Sequence, residues 1–404
     1  MNKVRPSTAP RAWRRWLGNL ISLGIAIVFC YFVIGSLLLR LLPGLMPTLS
    51  GQFPMAASLW WQPSAPEPTN NDYLALLGDS YAEGVGDWKA EQVDVTTPSH
   101  SADIIHRLIG RDVLSFGKRG ASSAEGLVRL PALALGAGQC LVFPSLQPPQ
   151  EIVYYFYEGN DLEDNLEFID ERLGLSVGDA NIGDASMDFL AHNWQDPGRK
   201  PCLLYFGKTI KSLIKTAKKT IVHRYGATVD EAQPLPAPNL ARMGSEVVTL
   251  PATLQGPALD LDAQSDDAAF EVFEVSLASL QQMLAGVKIT VVHLPSVLST
   301  YELTGPSVTV EINDTGSIVH SSADVASRSD AICRRLREIT VSSGAEFFDA
   351  RPAMRDLGTR EIIHGPRDWT HFNRTGYTHL GETVAAALMN DKTTNDCGQL
   401  ASTE

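Results

Sequence analysis

The chain has 404 residues, of which 44% are apolar and 20% charged, with a formal net charge of −13. An apolar fraction of that size excludes a disordered or collagen-like polymer, and the length suffices for a substantial core. The acidic balance argues against nucleic acid as a partner.

Lys3, Arg5, Arg11, Arg14 and Arg15 open the chain, and no acid precedes Glu67. Residues 17–39 then run without a charge for about 23 residues, enough to cross a hydrocarbon core of about 30 Å as a helix. We read residues 1–16 as a basic cytoplasmic tail and 17–42 as a single transmembrane anchor, with everything beyond it outside the cytoplasm by the positive-inside rule. A cleaved signal peptide would carry a shorter apolar core, about 7–15 residues, ending at a small-x-small site. Residues 1–66 hold six of the 33 lysines and arginines and none of the 46 acids, leaving 27 bases and a net of −19 beyond them. The outer part is therefore strongly acidic.

Pro43, Pro47, Pro54, Pro63, Pro66 and Pro68 mark residues 43–71 as a stalk. Trp60-Trp61 within it would sit at lipid headgroups or pack on the following domain. That domain, residues 72–392, opens with the apolar run Tyr73-Leu74-Ala75-Leu76-Leu77, a buried strand over 73–78. The strand leads into Gly78-Asp79-Ser80-Tyr81-Ala82-Glu83-Gly84, a turn that projects a serine hydroxyl.

The pattern continues with a helix over 101–109, a strand over 112–117 leading to Gly117-Lys118-Arg119-Gly120-Ala121-Ser122, and a helix over 122–135. A strand over 152–157 leads to Glu158-Gly159-Asn160-Asp161 and a helix from about 162. Between about 174 and 265 the alternation breaks: Gly, Asp and Pro are frequent, and Gln233-Pro234-Leu235-Pro236-Ala237-Pro238 suits no regular element. We expect an insertion there, roofing the site. Within it Lys208 to Arg224 reads as an amphipathic helix, with Ile210, Leu213, Ile214, Ala217 and Ile221 opposite five lysines. It either packs on its own domain or meets a membrane surface, polymer or partner subunit.

A helix over 266–285, a strand over 287–293, an irregular stretch at about 296–322, a helix over 323–342 and a strand over 345–348 follow. The irregular stretch is expected to form a second loop over the site. Asp368-Trp369-Thr370-His371 precedes a last helix at 374–390, and residues 393–404 read as a flexible tail.

Alternating strands and helices imply an α/β fold: a doubly wound, flavodoxin-like parallel sheet of about five strands with helices on both faces. In such sheets ligands bind beyond the carboxyl ends of the strands, where these turns fall. Ser80, His371 and Asp368 supply the parts of an acyl-transfer site. The imidazole takes the serine proton, and the carboxylate fixes the imidazole tautomer. Each has an ordinary alternative when taken singly: a turn or cap for Ser80, a helix cap for Asn160-Asp161, a turn for Gly120, a surface imidazole for His371. Their order and strand context favour the chemical reading.

With these four segments in this order, the chain resembles the SGNH (GDSL-type) hydrolase superfamily over about residues 72–175 and 286–390. That family's blocks centre on Ser, Gly, Asn and His, matched here by Ser80, Gly120, Asn160 and His371, with Asp368 as the triad acid. The resemblance implies an oxyanion hole from the Ser80 and Gly120 backbone N–H groups and the Asn160 amide. The second family block often begins with Asn, where this chain has Ser115. The resemblance further implies a serine esterase or acyltransferase that uses no cofactor. Relatives with this layout act on acyl, often acetyl, esters of cell-surface polysaccharides. A glycan or acyl-ester substrate, contact with the membrane and a membrane-embedded partner protein are the expected associations, with no nucleic acid. The competing class is a catalytically silent SGNH-like scaffold that binds glycan or a partner.

The sequence holds five cysteines, Cys30 falling within the span. Cys140, Cys202, Cys333 and Cys397 would face an oxidising compartment. Cys140 with Cys202 is the expected pair, free buried thiols being the alternative. No Cys-x-x-Cys and no histidine cluster has metal-ligand spacing, so no metal site is expected.

Overall fold

The computed structural model describes residues 9–45, 59, 62, 72–90, 100–136, 145–195, 211, 237–312, 316–390 and 396–398. Helix α1 (Ala9–Leu45) leads, and β1 (Tyr73–Leu77) opens the domain. The one-turn helix α2 (Ser80–Glu83) follows, capped by the Asp79 side chain and closed by Gly84 at φ 71°. Helix α3 (Ser101–Ile109) ends at Gly110, also left-handed, and β2 (Asp112–Ser115) follows. Helix α4 starts as a π-helical turn, Ala124–Arg129, and continues as Leu130–Gly136. After β3 (Glu151–Tyr157), helix α5 (Asp161–Phe168) widens into a π-turn, Ile169–Leu173.

The insertion contributes α6 (Ile182–Gln195) and the hairpin β4 (Leu240–Met243) and β5 (Glu246–Thr249). Then come α7 (Ala263–Met283), β6 (Lys288–Leu294), β7 (Glu302–Leu303), β8 (Ser307–Ile312) and β9 (Gly316–Ser321). Helix α8 (Ser322–Ser342) begins in a Ser321/Asp324 capping box and precedes β10 (Glu346–Asp349). Helices α9 (Arg351–Gly358) and α10 (Arg374–Met389) complete the domain.

The central sheet has the order β2-β1-β3-β6-β10 with every pairing parallel. Counted along the five core strands this is the flavodoxin-like order, and the chain reverses direction across the sheet between β1 and β3. Ser80 follows β1 and Asn160 follows β3, so both stand where such folds open a crevice.

Strand side chains alternate, and here both faces are covered. Ala75, Leu77, Ile152, Tyr154, Phe156, Ile289 and Val291 meet α4, α5, α7 and α8 through Leu127, Phe168, Phe270 and Ile332. Leu74, Leu76, Val153, Tyr155, Val292 and Leu294 meet α3, α9 and α10 through Ile105, Met354 and Tyr377. Burial on two sides explains why these strands read as continuous apolar runs. Each large side chain so buried contributes about 1.5–3 kcal/mol.

The stretch at 296–322, expected as an irregular loop, is largely ordered. A turn of helix, Val297–Thr300, precedes β7, which pairs with β4, and β8 and β9 pair antiparallel over six residues each. Val308-Thr309-Val310 is β-branched, and Val308 and Val310 are buried in the second core, which favours strand over loop. The basic helix expected over 208–224 lies outside the described residues apart from Lys211.

The segment read as a stalk also meets the domain. Leu59 is buried in the first core, and the buried Gln62 accepts from the Ser115 N–H at 2.8 Å, so it satisfies the free edge of β2. Trp60-Trp61 lies outside the described residues. Helix α1 contains the expected span, and its side chains from Trp16 to Cys30 are exposed. Among the described residues no helix is long and apolar enough to cross a membrane.

Cys333 on α8 is bonded to Cys397, 64 positions along the chain. The expected partners Cys140 and Cys202 lie outside the described residues. Residues 396–398, expected within a loose tail, are therefore pinned: Gly398 N–H donates to Asp349 and its carbonyl accepts from Arg351. His293, Cys333 and Asp349 bring potential metal ligands within 4.8 Å of one another. The sulfur is consumed by the disulfide and Asp349 is held bidentately by Arg351, so the cluster reads as a buried ionic network.

Candidate active site

Ser80 sits at the start of α2 because Gly78 turns the chain sharply out of β1. Gly78 has φ 141°, and a Cβ there would lie 2.8 Å from the Tyr155 carbonyl. Asp79 then caps the helix, accepting from the Tyr81 N–H at 2.9 Å, and its second oxygen lies 3.1 Å from Ser80 Oγ. Burial raises the Asp79 carboxyl, opposed by the Tyr81 N–H and the charge of His371.

His371 arrives on the loop before α10. Its Nε2 is 2.9 Å from Ser80 Oγ, and its Nδ1 is 2.8 Å from Asp368 Oδ2. The other Asp368 oxygen accepts from the backbone N–H groups of Thr370 and His371. Although burial pushes the Asp368 carboxyl up, the hydrogen bond and charge of His371 outweigh it and hold the group below the ordinary value. An ionised Asp368 selects the imidazole tautomer with its proton on Nδ1, which leaves Nε2 free to take the Ser80 proton.

The loop carrying His371 is tied to the rest of the site. Tyr81 donates from its hydroxyl to the Thr370 carbonyl at 2.7 Å, and its ring lies 5.5 Å from the His371 ring. Asn373 caps α10 by accepting from the Gly376 N–H. Asp87 accepts from the Arg367 N–H at 2.6 Å.

The second segment lies against α2. Lys118 N–H donates to the Gly78 carbonyl, and Arg119 pairs with Glu83 at 2.9 Å. A Cβ on Gly117 would fall 2.3 Å from the Glu83 nitrogen. Ser115 donates to the Ala82 carbonyl and accepts from the Gly117 N–H, so it bridges the same two segments. Gly120 has φ 63° with nothing within 4 Å of its Cβ position. Glycine is thus required by its left-handed backbone, and the space beside it is open.

Asn160 ends the turn after β3 and donates from Nδ2 to Asp164 Oδ2 at 3.1 Å, while its Oδ1 has no partner. It lines a cavity of about 220 Å³ with Gly159, Asp164, Gln255, Asp260 and Glu311. A smaller cavity of about 50 Å³ is lined by Gly120, Ser122, Glu125 and Asp164. The end of the insertion and strand β8 thus wall the larger cavity.

Ser80, His371 and Asp368 are brought into one hydrogen-bonded line; Asn160 contacts Asp164, and Gly120 lines the same small cavity as Asp164. Asp164, Tyr81 and Ser115 were not singled out as functional from sequence. Asp164 stands four residues after Asn160 on a helix, a spacing that brings side chains together. Tyr81 and Ser115 act across long sequence separations that carry no local signal.

No family model matches the chain, and no curated protein matches it. One solved structure aligns over 79% of this chain and 98% of its own at 13% identity with a TM-score of 0.35, a likeness too low to support any argument.

Proposed function

We propose that the chain is a serine esterase or O-acyltransferase of the SGNH type. The observation that carries this reading is the Ser80–His371–Asp368 line, with contacts of 2.9 and 2.8 Å. His371 Nε2 takes the hydroxyl proton as Ser80 Oγ attacks an ester carbonyl. The resulting oxyanion is met by the Ser80 and Gly120 N–H groups and the Asn160 amide. Collapse breaks the ester C–O bond, His371 returns its proton to the leaving alcohol, and an acyl-Ser80 remains. Water then gives hydrolysis, and a sugar hydroxyl gives transfer.

In this proposal α1 anchors the chain in the cytoplasmic membrane with its amino terminus inside. The uncharged run 17–39 and the five basic residues before it support that topology. The Cys333–Cys397 bridge suits an oxidising compartment. The substrate is then an acyl ester, acetyl in the simplest case, of a cell-surface glycan. Incubating the protein with an aryl acetate, with and without oligosaccharide acceptors, tests the reading. Acyl release or transfer is expected, and its absence together with absent serine labelling would refute it.

A further inference from the structure

We propose that Asp164 is a positioning residue for the oxyanion hole and that its protonation state sets how well the hole accepts negative charge. The inference rests on the esterase reading above and goes beyond it, since that reading assigns Asp164 no part.

The geometry has two components. Asp164 Oδ2 accepts from Asn160 Nδ2 at 3.1 Å, and the Asp164 backbone N–H donates to the Asn160 carbonyl at 2.8 Å. One amide hydrogen is thereby fixed, which orients the plane of the amide and aims its other hydrogen. Asp164 also lines both cavities beside the hole, the one with Gly120 and the one with Asn160. Asp164 thus touches one of the three donors expected to meet the oxyanion, Asn160, and shares a cavity wall with another, Gly120.

An ionised carboxylate at that place opposes a developing oxyanion, and the surrounding protein screens the repulsion poorly. The protonated acid removes the repulsion while its carbonyl oxygen still accepts from Asn160. The neighbours bias Asp164 toward that neutral form. Asp79 faces it from the turn after β1, Glu125 from α4, and Glu163 and Glu167 from its own helix. Across the larger cavity stand Asp260 and Glu311. Arg172, a cation lining the smaller cavity, is paired with Glu125 at 3.2 Å. Burial first, then the Asp79 charge, pushes the Asp164 carboxyl up to about 8.

The test is a pH profile of kcat and KM for aryl acetate turnover by the full chain in detergent, with Asp164→Asn and Asp164→Ala beside the parent. The parent should lose activity as pH rises through about 8. Asparagine offers a neutral acceptor to Asn160, so Asp164→Asn should keep at pH 9 the rate it has at pH 6.5. Alanine loses the acceptor, so Asp164→Ala should lower kcat at pH 6.5 by about tenfold, a fraction of what deleting an oxyanion donor costs, with KM little changed. An alkaline limb identical in the parent and Asp164→Asn, or Asp164→Ala equal to the parent at pH 6.5, would overturn the proposal. A parent that is neither active nor labelled at Ser80 would instead sink the esterase reading on which it rests.

Discussion

Ser80 Oγ and His371 Nε2 lie 2.9 Å apart although 291 positions separate them in the chain. The contact exists because β1 and the loop before α10 both end at the carboxyl edge of one parallel sheet. The Tyr81 hydroxyl further clamps that loop at the Thr370 carbonyl. A hydroxyl with an aligned imidazole acceptor and an oriented acid behind it is equipped for nucleophilic attack.

Ser80→Ala should therefore abolish ester turnover while leaving the fold intact. A fluorophosphonate probe should label the parent and not the variant, with unchanged circular dichroism in both. Equal labelling of the two proteins would remove Ser80 from the mechanism.

Much of this site was legible because its residues sit in turns that directly follow apolar strands. Ser80, Gly120 and Asn160 each come within a few residues of a strand end, where one-dimensional pattern and three-dimensional position coincide. The five core strands and their helices were legible for a related reason, since burial on both faces leaves few polar positions to blur the pattern. Illegible were the β8–β9 hairpin, whose polar and apolar alternation is short, and the Cys333–Cys397 bridge, which joins residues 64 apart. Connectivity of that range depends on how the chain returns and has no local signature. Gln62 was hidden for the opposite reason: it completes the edge of β2 from within a proline-rich segment that reads as linker.

Asn160 and Asp368 should fail in different ways. Asn160→Ala removes one donor to the oxyanion and should lower kcat by about 10²–10³. Asp368→Asn permits the wrong imidazole tautomer and should lower it by up to about 10⁴. Steady-state kinetics on an aryl ester distinguishes the two. Should Asp368→Asn stay within about threefold of the parent, Asp368 is not the triad acid, and Ser80 with His371 would act as a dyad.

The disulfide should be a substantial share of the domain's stability. Cys397→Ser opens a loop closed over 64 positions and releases Gly398 from Asp349 and Arg351. The cost should be about 2–4 kcal/mol in a urea titration, and dithiothreitol should reproduce it in the parent. A midpoint insensitive to both treatments would show that the bridge does not form in solution.

Topology is testable with fusions after residue 70. A reporter active only outside the cytoplasm should be functional there if the five positive charges before residue 17 fix the orientation. Activity from a cytoplasm-only reporter at the same place would overturn the orientation and, with it, the cell-surface substrate.

Glu158 should make stability depend on acid. The carboxylate is fully buried beside the turn that carries Asn160, with His293 Nε2 at 3.0 Å and hydrogen bonds from Ser296 N–H and Ser329 Oγ. Burial alone would raise its carboxyl, yet the hydrogen bond and charge of His293, followed by the charge of Arg351, bring it down to about 2. In the unfolded chain the same group returns to the ordinary glutamate range, about 4.3. Between those limits the unfolded state binds more protons, so stability rises with pH there. The contribution is complete above the unfolded value and is lost as pH falls toward the folded one. Glu158→Gln removes the titrating group but keeps an oxygen for Ser296. The variant should be less stable than the parent at pH 7, by on the order of a few kcal/mol, because a neutral amide forgoes the buried hydrogen bonds and the attraction of Arg351 that favour the carboxylate. The gap should narrow on going from pH 5 to pH 3, as the parent loses what the variant already lacks. Parallel unfolding temperatures across that window would show that Glu158 is not held ionised by His293 and Arg351.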